Sequence, residues 1–276
     1  MRFLGAGGKM GFGRGSSATL WTPENLTESL DVWVDASSIT GLSNNDQLDT
    51  WTNLGSLSNF SRDSASSTSG YPRYVTNVLN GLPGIEFPTS SGTRMTGPNT
   101  SSGNTTKSRI ACAVWKTGKL SGASQIINRT GYVEINVGRT ANRTNIAWWN
   151  GSFTSTVGTT IINTSNSYMT TGVWDKNAGE RTIFVNGNQE AQTTGLTTTW
   201  TYNNSQSTII GNNAFNSPPG QFFQGYLFEA IIYLVDSYDT EAESEREKIE
   251  GYLAHKWGLT SNLPGGHPYK TNPPTV

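Results

Sequence analysis

The order of apolar and polar positions is most informative between Phe222 and Gly258. Phe222, Tyr226, Phe228, Ile232 and Leu234 fall on one parity, and Phe223, Leu227, Ile231 and Tyr233 on the other. A strand that is apolar on both parities is covered on both faces, so residues 222–234 are predicted to form a central strand. Thr240 and Glu243 then stand at capping-box spacing, a hydroxyl for an orphan N–H and a carboxylate reaching back. Ile249, Tyr252, Leu253 and Trp257 recur at helical spacing, and Gly258 supplies a stop. The pattern predicts a helix over 240–258 that covers one face of that strand. Glutamates between Glu241 and Glu250 suit the positive end of its dipole.

Upstream, the period is two. Leu30, Val32 and Val34 alternate with Asp31, Trp33 and Asp35, the signature of a half-buried strand. Further strands are predicted at 71–75, 84–87, 109–116, 125–129, 132–137, 144–149, 168–175, 181–185 and 208–211. Asn80-Gly81 and Asn186-Gly187 mark tight turns, the second a two-residue hairpin turn with positive φ at both positions. Strands separated by Gly/Asn turns, with one late helix, predict an all-β, two-sheet antiparallel sandwich of about a dozen strands.

Composition sharpens this. Only 14% of the 276 residues are charged, while nine Trp, ten Tyr and ten Phe supply ample core. The length suits one large β domain. The net charge of −1 gives no field that would draw nucleic acid, and no run approaches membrane-spanning length. No apolar segment at the N-terminus reads as a secretion signal. The charge is uneven: 88–228 carries ten Lys/Arg against four Asp/Glu, whereas 236–250 carries seven acids. A basic face for phosphate or acidic glycans is one expectation from this, a solvated surface the other. Cys112, the single cysteine, lies in an apolar strand and reads as a core residue.

The chain divides into a Gly-rich N-terminal arm, 1–18, and a domain, 19–276, which includes the helix 240–258 and a Pro-rich tail that packs back. The arm is basic, has no acid, and offers Phe3, Leu4, Lys9, Met10, Phe12 and Arg14 as candidate anchors to a partner.

The ending, Ile249-Glu250-Gly251-Tyr252-Leu253-Ala254-His255-Lys256-Trp257-Gly258-Leu259 with Leu263-Pro264-Gly265-Gly266-His267-Pro268-Tyr269, resembles that of the concanavalin A-like (laminin-G-type) jelly-roll family. Val32-Trp33-Val34-Asp35-Ala36, Asn80-Gly81-Leu82-Pro83, Phe184-Val185-Asn186-Gly187 and Phe228-Glu229-Ala230-Ile231-Ile232-Tyr233 agree with the same pattern. His255 departs from it, standing where relatives often carry an aromatic residue. The resemblance implies a two-sheet jelly roll with the helix laid against it, of a kind found in phage virion proteins and bacterial surface proteins.

Candidate chemistry is sparse. Jelly-roll β-glucanases carry Glu-Xaa-Asp-Xaa-Xaa-Glu, because retaining hydrolysis needs two carboxylates about 5 Å apart. No such run exists here, so no catalytic residue is assigned and the chain is expected not to be an enzyme. Two histidines and one core cysteine do not suffice for zinc. Asn44, Asn45, Asp46 and Asp49 match no established calcium loop and read as Asx turns, so neither metal nor cofactor is expected. Flat aromatic faces flanked by amides suit sugars, which makes Arg143, Trp148, Trp149, Asn150, Trp200 and Tyr202 the candidate glycan residues. The resulting expectation is a non-enzymatic virion structural protein of a phage, oligomeric in the particle. It is displayed on capsid or tail, anchored to other virion proteins through 1–18, and adheres to host surface polysaccharide. The alternatives are a carbohydrate-binding module of a bacterial surface protein, and a jelly-roll hydrolase or lyase.

Overall fold

The computed structural model describes residues 18–63, 70–88, 93–99, 106–129, 133–149, 153–198, 207–212 and 221–276. The anchor candidates from Phe3 to Arg14 lie outside them, as do Asn150, Trp200 and Tyr202.

Two antiparallel sheets face each other. The first runs β15 (Asn188–Thr193), β14 (Glu180–Val185), β13 (Tyr168–Asp175), β8 (Ser108–Thr117), β17 (Gly225–Val235), β6 (Leu82–Phe87), β5 (Arg73–Leu79) and β2 (Asp46–Gln47), with β1 (Ser29–Asp35) also paired to β17. The second runs β12 (Phe153–Val157), β11 (Arg143–Trp149), β10 (Val133–Thr140), β9 (Ser124–Arg129), β16 (Ser207–Ile210), β7 (Met95–Asn99), β4 (Phe60–Arg62) and β3 (Thr50–Trp51). This is the jelly-roll sandwich that the sequence predicts.

The strand predicted at 222–234 is β17, paired to β8 over ten positions and to β1 and β6 as well. A bulge between Leu227 and Glu229 resets its parity, so Glu229, Ile231 and Tyr233 share the face covered by α1 (Thr240–Trp257). Ile249, Leu253 and Trp257 are buried beneath that helix, as their spacing requires. The cap differs from the prediction. Asp239, not Thr240, is the N-cap, and its carboxylate accepts from the N–H groups of Glu241 and Ala242 at 3.0 and 3.1 Å. A carboxylate at this position both caps and offsets the dipole, which a hydroxyl one residue on cannot do. Gly258 closes the helix at φ +71°.

β1 is buried on both faces rather than half-buried, because Trp33 and Asp35 lie under α1 and Asp31 turns into the sandwich beside Arg129. The basic excess of 88–228 is in part interior: Arg109, Arg129 and Arg181 are all buried, so it does not build a simple basic face. Cys112 is buried against Thr171, and burial pushes its thiol well above the ordinary range. The tail packs back as predicted, burying Leu259 and Leu263 and seating Tyr269 on Gly251. No helix among the described residues is long and apolar enough to cross a membrane.

Candidate functional site

In β9, β10 and β11 the alternation divides cleanly. Ile127, Ile135 and Ile146 are register partners across the three strands and point to the other sheet, where Ile146 packs beside Gly172. Thr144 shares that inner face, 3.5 Å from Thr170 on β13. The opposite, outward face carries Asn128 opposite Glu134, Gln125 opposite Asn136, and Asn136 opposite Asn145. An outward sheet face built from four amides and one carboxylate, all buried, is not a packing solution for a sandwich core.

Part of this cluster is a connected network. Asn128 Nδ2 donates to Gln125 Oε1 at 2.9 Å, and Gln125 Nε2 donates to Gln221 Oε1 at 2.9 Å and to Glu134 Oε2 at 3.5 Å. Arg139 Nη2 donates to the same Gln221 oxygen at 2.9 Å, while its guanidinium lies 3.9 Å over the Phe153 ring. Burial pushes the Glu134 carboxyl above the usual carboxylate range, against the opposing pull of the Gln125 hydrogen bond and the Arg139 and Arg181 charges.

The rest is unmatched. Asn136 and Asn145 face each other at 0% exposure, and all four of their side-chain N and O atoms lack a hydrogen-bond partner. Each such atom costs about 1–3 kcal/mol when left dry, so the opposed pair is a costly feature of this face. Around them Arg139, Phe153, Gln221 and Phe222 are half-buried and form the rim, with Lys119 Nζ 4.4 Å over the Phe222 ring.

Of the residues predicted for sugar, Arg143 opens β11 on the parity of Asn145, half-buried, with its Nε buried and unpaired. Trp148 and Trp149 end the same strand, their backbones in register with Thr154 and Phe153. The structure therefore puts Arg143 and Trp149 at opposite ends of one strand, with Asn145 between them. The sequence reading missed Gln125, Asn128, Glu134, Asn136, Asn145 and Gln221. For the first five the signal was present, since they occupy polar positions of predicted strands; Gln221 falls just before the strand predicted at 222–234. Only the register, however, collects them on one face.

Residues 91–235, more than half of the chain, match the family described as the Concanavalin A-like lectin/glucanases superfamily (Laminin_G_3). The chain belongs to this superfamily. Among solved structures, the binding domain of botulinum neurotoxin DC in complex with SialylT aligns with a TM-score of 0.52 at 9% identity, covering 80% of this chain and 51% of that one. A Trypanosoma rangeli sialidase aligns at 0.51 and 10% identity, covering 87% of this chain and 37% of that one. The Ruminococcus gnavus IT-sialidase CBM40 bound to α2,3-sialyllactose aligns at 0.47 and 13% identity, covering 58% and 92%. At these identities the likeness is one of fold. No functionally curated protein matches the sequence significantly.

A superfamily that includes glucanases calls for a check on paired carboxylates. One pair lies under α1: Asp35 and Glu229 are register partners that share the Lys256 ammonium at 2.6 and 2.7 Å. Its oxygens are already engaged. Glu229 accepts from the Trp33 and Trp257 indoles at 2.7 and 2.8 Å, and Asp35 from the Ser37 N–H and hydroxyl. This is a helix-to-sheet lock. A second pair, Glu28 and Asp236, meets at Lys107. No group of three potential metal ligands occurs among the described residues; Asp46 accepts from the Ser43 N–H within its turn, and Asn44 accepts from the N–H of Thr76 on β5.

Proposed function

We propose that the protein is a non-catalytic carbohydrate-binding jelly-roll module whose ligand seat is the outward face of β9–β11. The observation that carries the reading is the opposed, buried and unmatched pair Asn136 and Asn145 within a face of amides, one carboxylate and the guanidinium groups of Arg139 and Arg143. Sugar hydroxyls both donate and accept, and so do primary amides; the pair offers both functions to one ligand. Phe153 and Phe222 on the rim supply the apolar faces that sugar rings pack on. Superfamily membership supports the reading, as does a fold shared with a toxin binding domain in complex with SialylT.

The test is a glycan array probed with the wild-type chain, Asn136→Ala and Asn145→Ala. Binding by wild type and a loss of about tenfold or more in either variant, each as well folded by circular dichroism, is the expected result. An array with no bound glycan, or equal binding by all three, would reject the seat.

A phage particle as the setting is a finer proposal. It is supported by the family resemblance of the ending, Ile249 to Tyr269. Antibody labelling of purified particles in electron micrographs tests it: unlabelled particles would remove the virion from the account.

A further inference from the structure

The two ends of the described chain meet in a short antiparallel ladder beside α1. The Trp21 N–H donates to the Pro274 carbonyl at 3.0 Å, Leu20 bridges to Thr275, and the Val276 N–H donates to the Thr19 carbonyl at 2.9 Å. Against this ladder lies a cleft of about 350 Å³ lined chiefly by Leu20, Trp21, Tyr252, His255, Pro273 and Pro274. Its walls are apolar, with Trp21 edge-on to Tyr252 at 6.2 Å. Leu20 and Val276 stand 59% and 73% exposed on the ladder itself. A large exposed apolar side chain, Leu20, lining an apolar cleft marks an interaction surface rather than scattered exposure.

The direction of the chain indicates the occupant. In the ladder residue 19 faces 276 and residue 21 faces 274, so at Ala18 the backbone is directed toward residue 276. The cleft lies the other way, toward Thr22 and Tyr252. To enter its own cleft the arm would have to turn back against this direction, which favours the cleft of a neighbour. Residues 1–17 could span roughly 55–60 Å if extended. They carry Phe3, Leu4, Met10 and Phe12 among six glycines, with Arg2, Lys9 and Arg14 and no acid. The stretch of α1 that forms one wall contributes Tyr252, His255 and Lys256, so the fit is one of apolar side chains and not of charge.

The geometry points to arm exchange: residues 1–17 of one copy seat their apolar side chains in the cleft between the terminal ladder and α1 of a second copy. Mutual exchange closes a two-fold dimer. The cleft is on the α1 side of the first sheet and the amide face on the far side of the second, so both amide faces would point outward.

Light scattering on the full chain after size exclusion is the test. The expected result is a dimer. Leu20→Asp in the cleft and the double variant Met10→Ser/Phe12→Ser in the arm should each weaken self-association about tenfold or more. Each variant should remain as well folded as wild type by circular dichroism, because Leu20 is exposed. Mixing the two variants leaves one intact arm and one intact cleft, so a heterodimer should reappear. A monomeric wild type, a dimer indifferent to both changes, or a mixture that stays monomeric would each overturn the exchange.

Discussion

Glu134 shows what one residue on the amide face does. Its carboxyl is raised by burial, so the folded state holds the proton more tightly than the unfolded chain, whose value is about 4.3. Its contribution is therefore whole below that pH and is lost as pH rises through the folded value. Glu134→Gln keeps the shape and removes the charge. Urea midpoints should then match wild type near pH 4 and exceed it at pH 7, and a variant weaker than wild type at pH 7 would refute the sign. Lys256 is the opposite case. Its ammonium joins Asp35 to Glu229, with further contact to the Tyr252 hydroxyl at 3.0 Å. Lys256→Met leaves two carboxylates facing each other under a helix, and should cost about 3–5 kcal/mol in chemical denaturation.

At the scale of the element, α1 shows where local rules hold and where packing overrides them. Asp239→Ala removes the cap and should lower stability by about 1 kcal/mol, read as a shift in denaturant midpoint. Gly251 lies inside the helix, where Gly→Ala ordinarily stabilises by up to about 1 kcal/mol. Here an added Cβ would sit 2.4 Å from the Tyr269 Cβ, so the tail could not close. Gly251→Ala is expected to destabilise, and Gly251→Ala/Tyr269→Gly to recover part of the loss in the same melt. Four of the strands that the periodicity missed, β15, β7, β2 and β3, have a common cause. β15 (Asn-Gln-Glu-Ala-Gln-Thr) is a polar edge, β7 contains Gly97 and Pro98, and β2 and β3 are two residues each. Such segments pair because a neighbour's edge is open, which no window of the sequence records.

Across the whole molecule the faces divide the work. The outward face of the first sheet is covered by α1 and locked by Trp33, Trp257 and Lys256 on Glu229. The outward face of the second carries the amides, and the chain ends emerge on the α1 side. The lock explains why the close carboxylates of this glucanase-like fold are not offered to a substrate. Breaking it from the helix side, with Trp257→Phe, removes the indole donor to Glu229 without removing the ring. This should lower stability by about 1.5–3 kcal/mol in urea while leaving any glycan affinity within about twofold, since the two faces are separated by the sandwich core.

The jelly roll, its central strand and the helix were legible because each rests on short-range periodicity: two-sided apolarity in β17, alternation in β8 and β13, and the 3.6-residue spacing of Ile249, Leu253 and Trp257. The family ending added the arrangement of the tail. The candidate site was not legible. Asn128, Glu134, Asn136 and Asn145 come from three strands, and a slip of one residue in any pairing would send that strand's members to the inner face. Aromatic residues drew the sequence reading to Trp148 and Trp149, whereas of the two unmatched amides Asn145 stands earlier on the same strand and Asn136 on the neighbouring one. Periodicity within a segment is a local property, set by how side chains project from one backbone. Which polar positions of separate segments face one another depends on register and on what buries them, and those were decided only when the sheets paired.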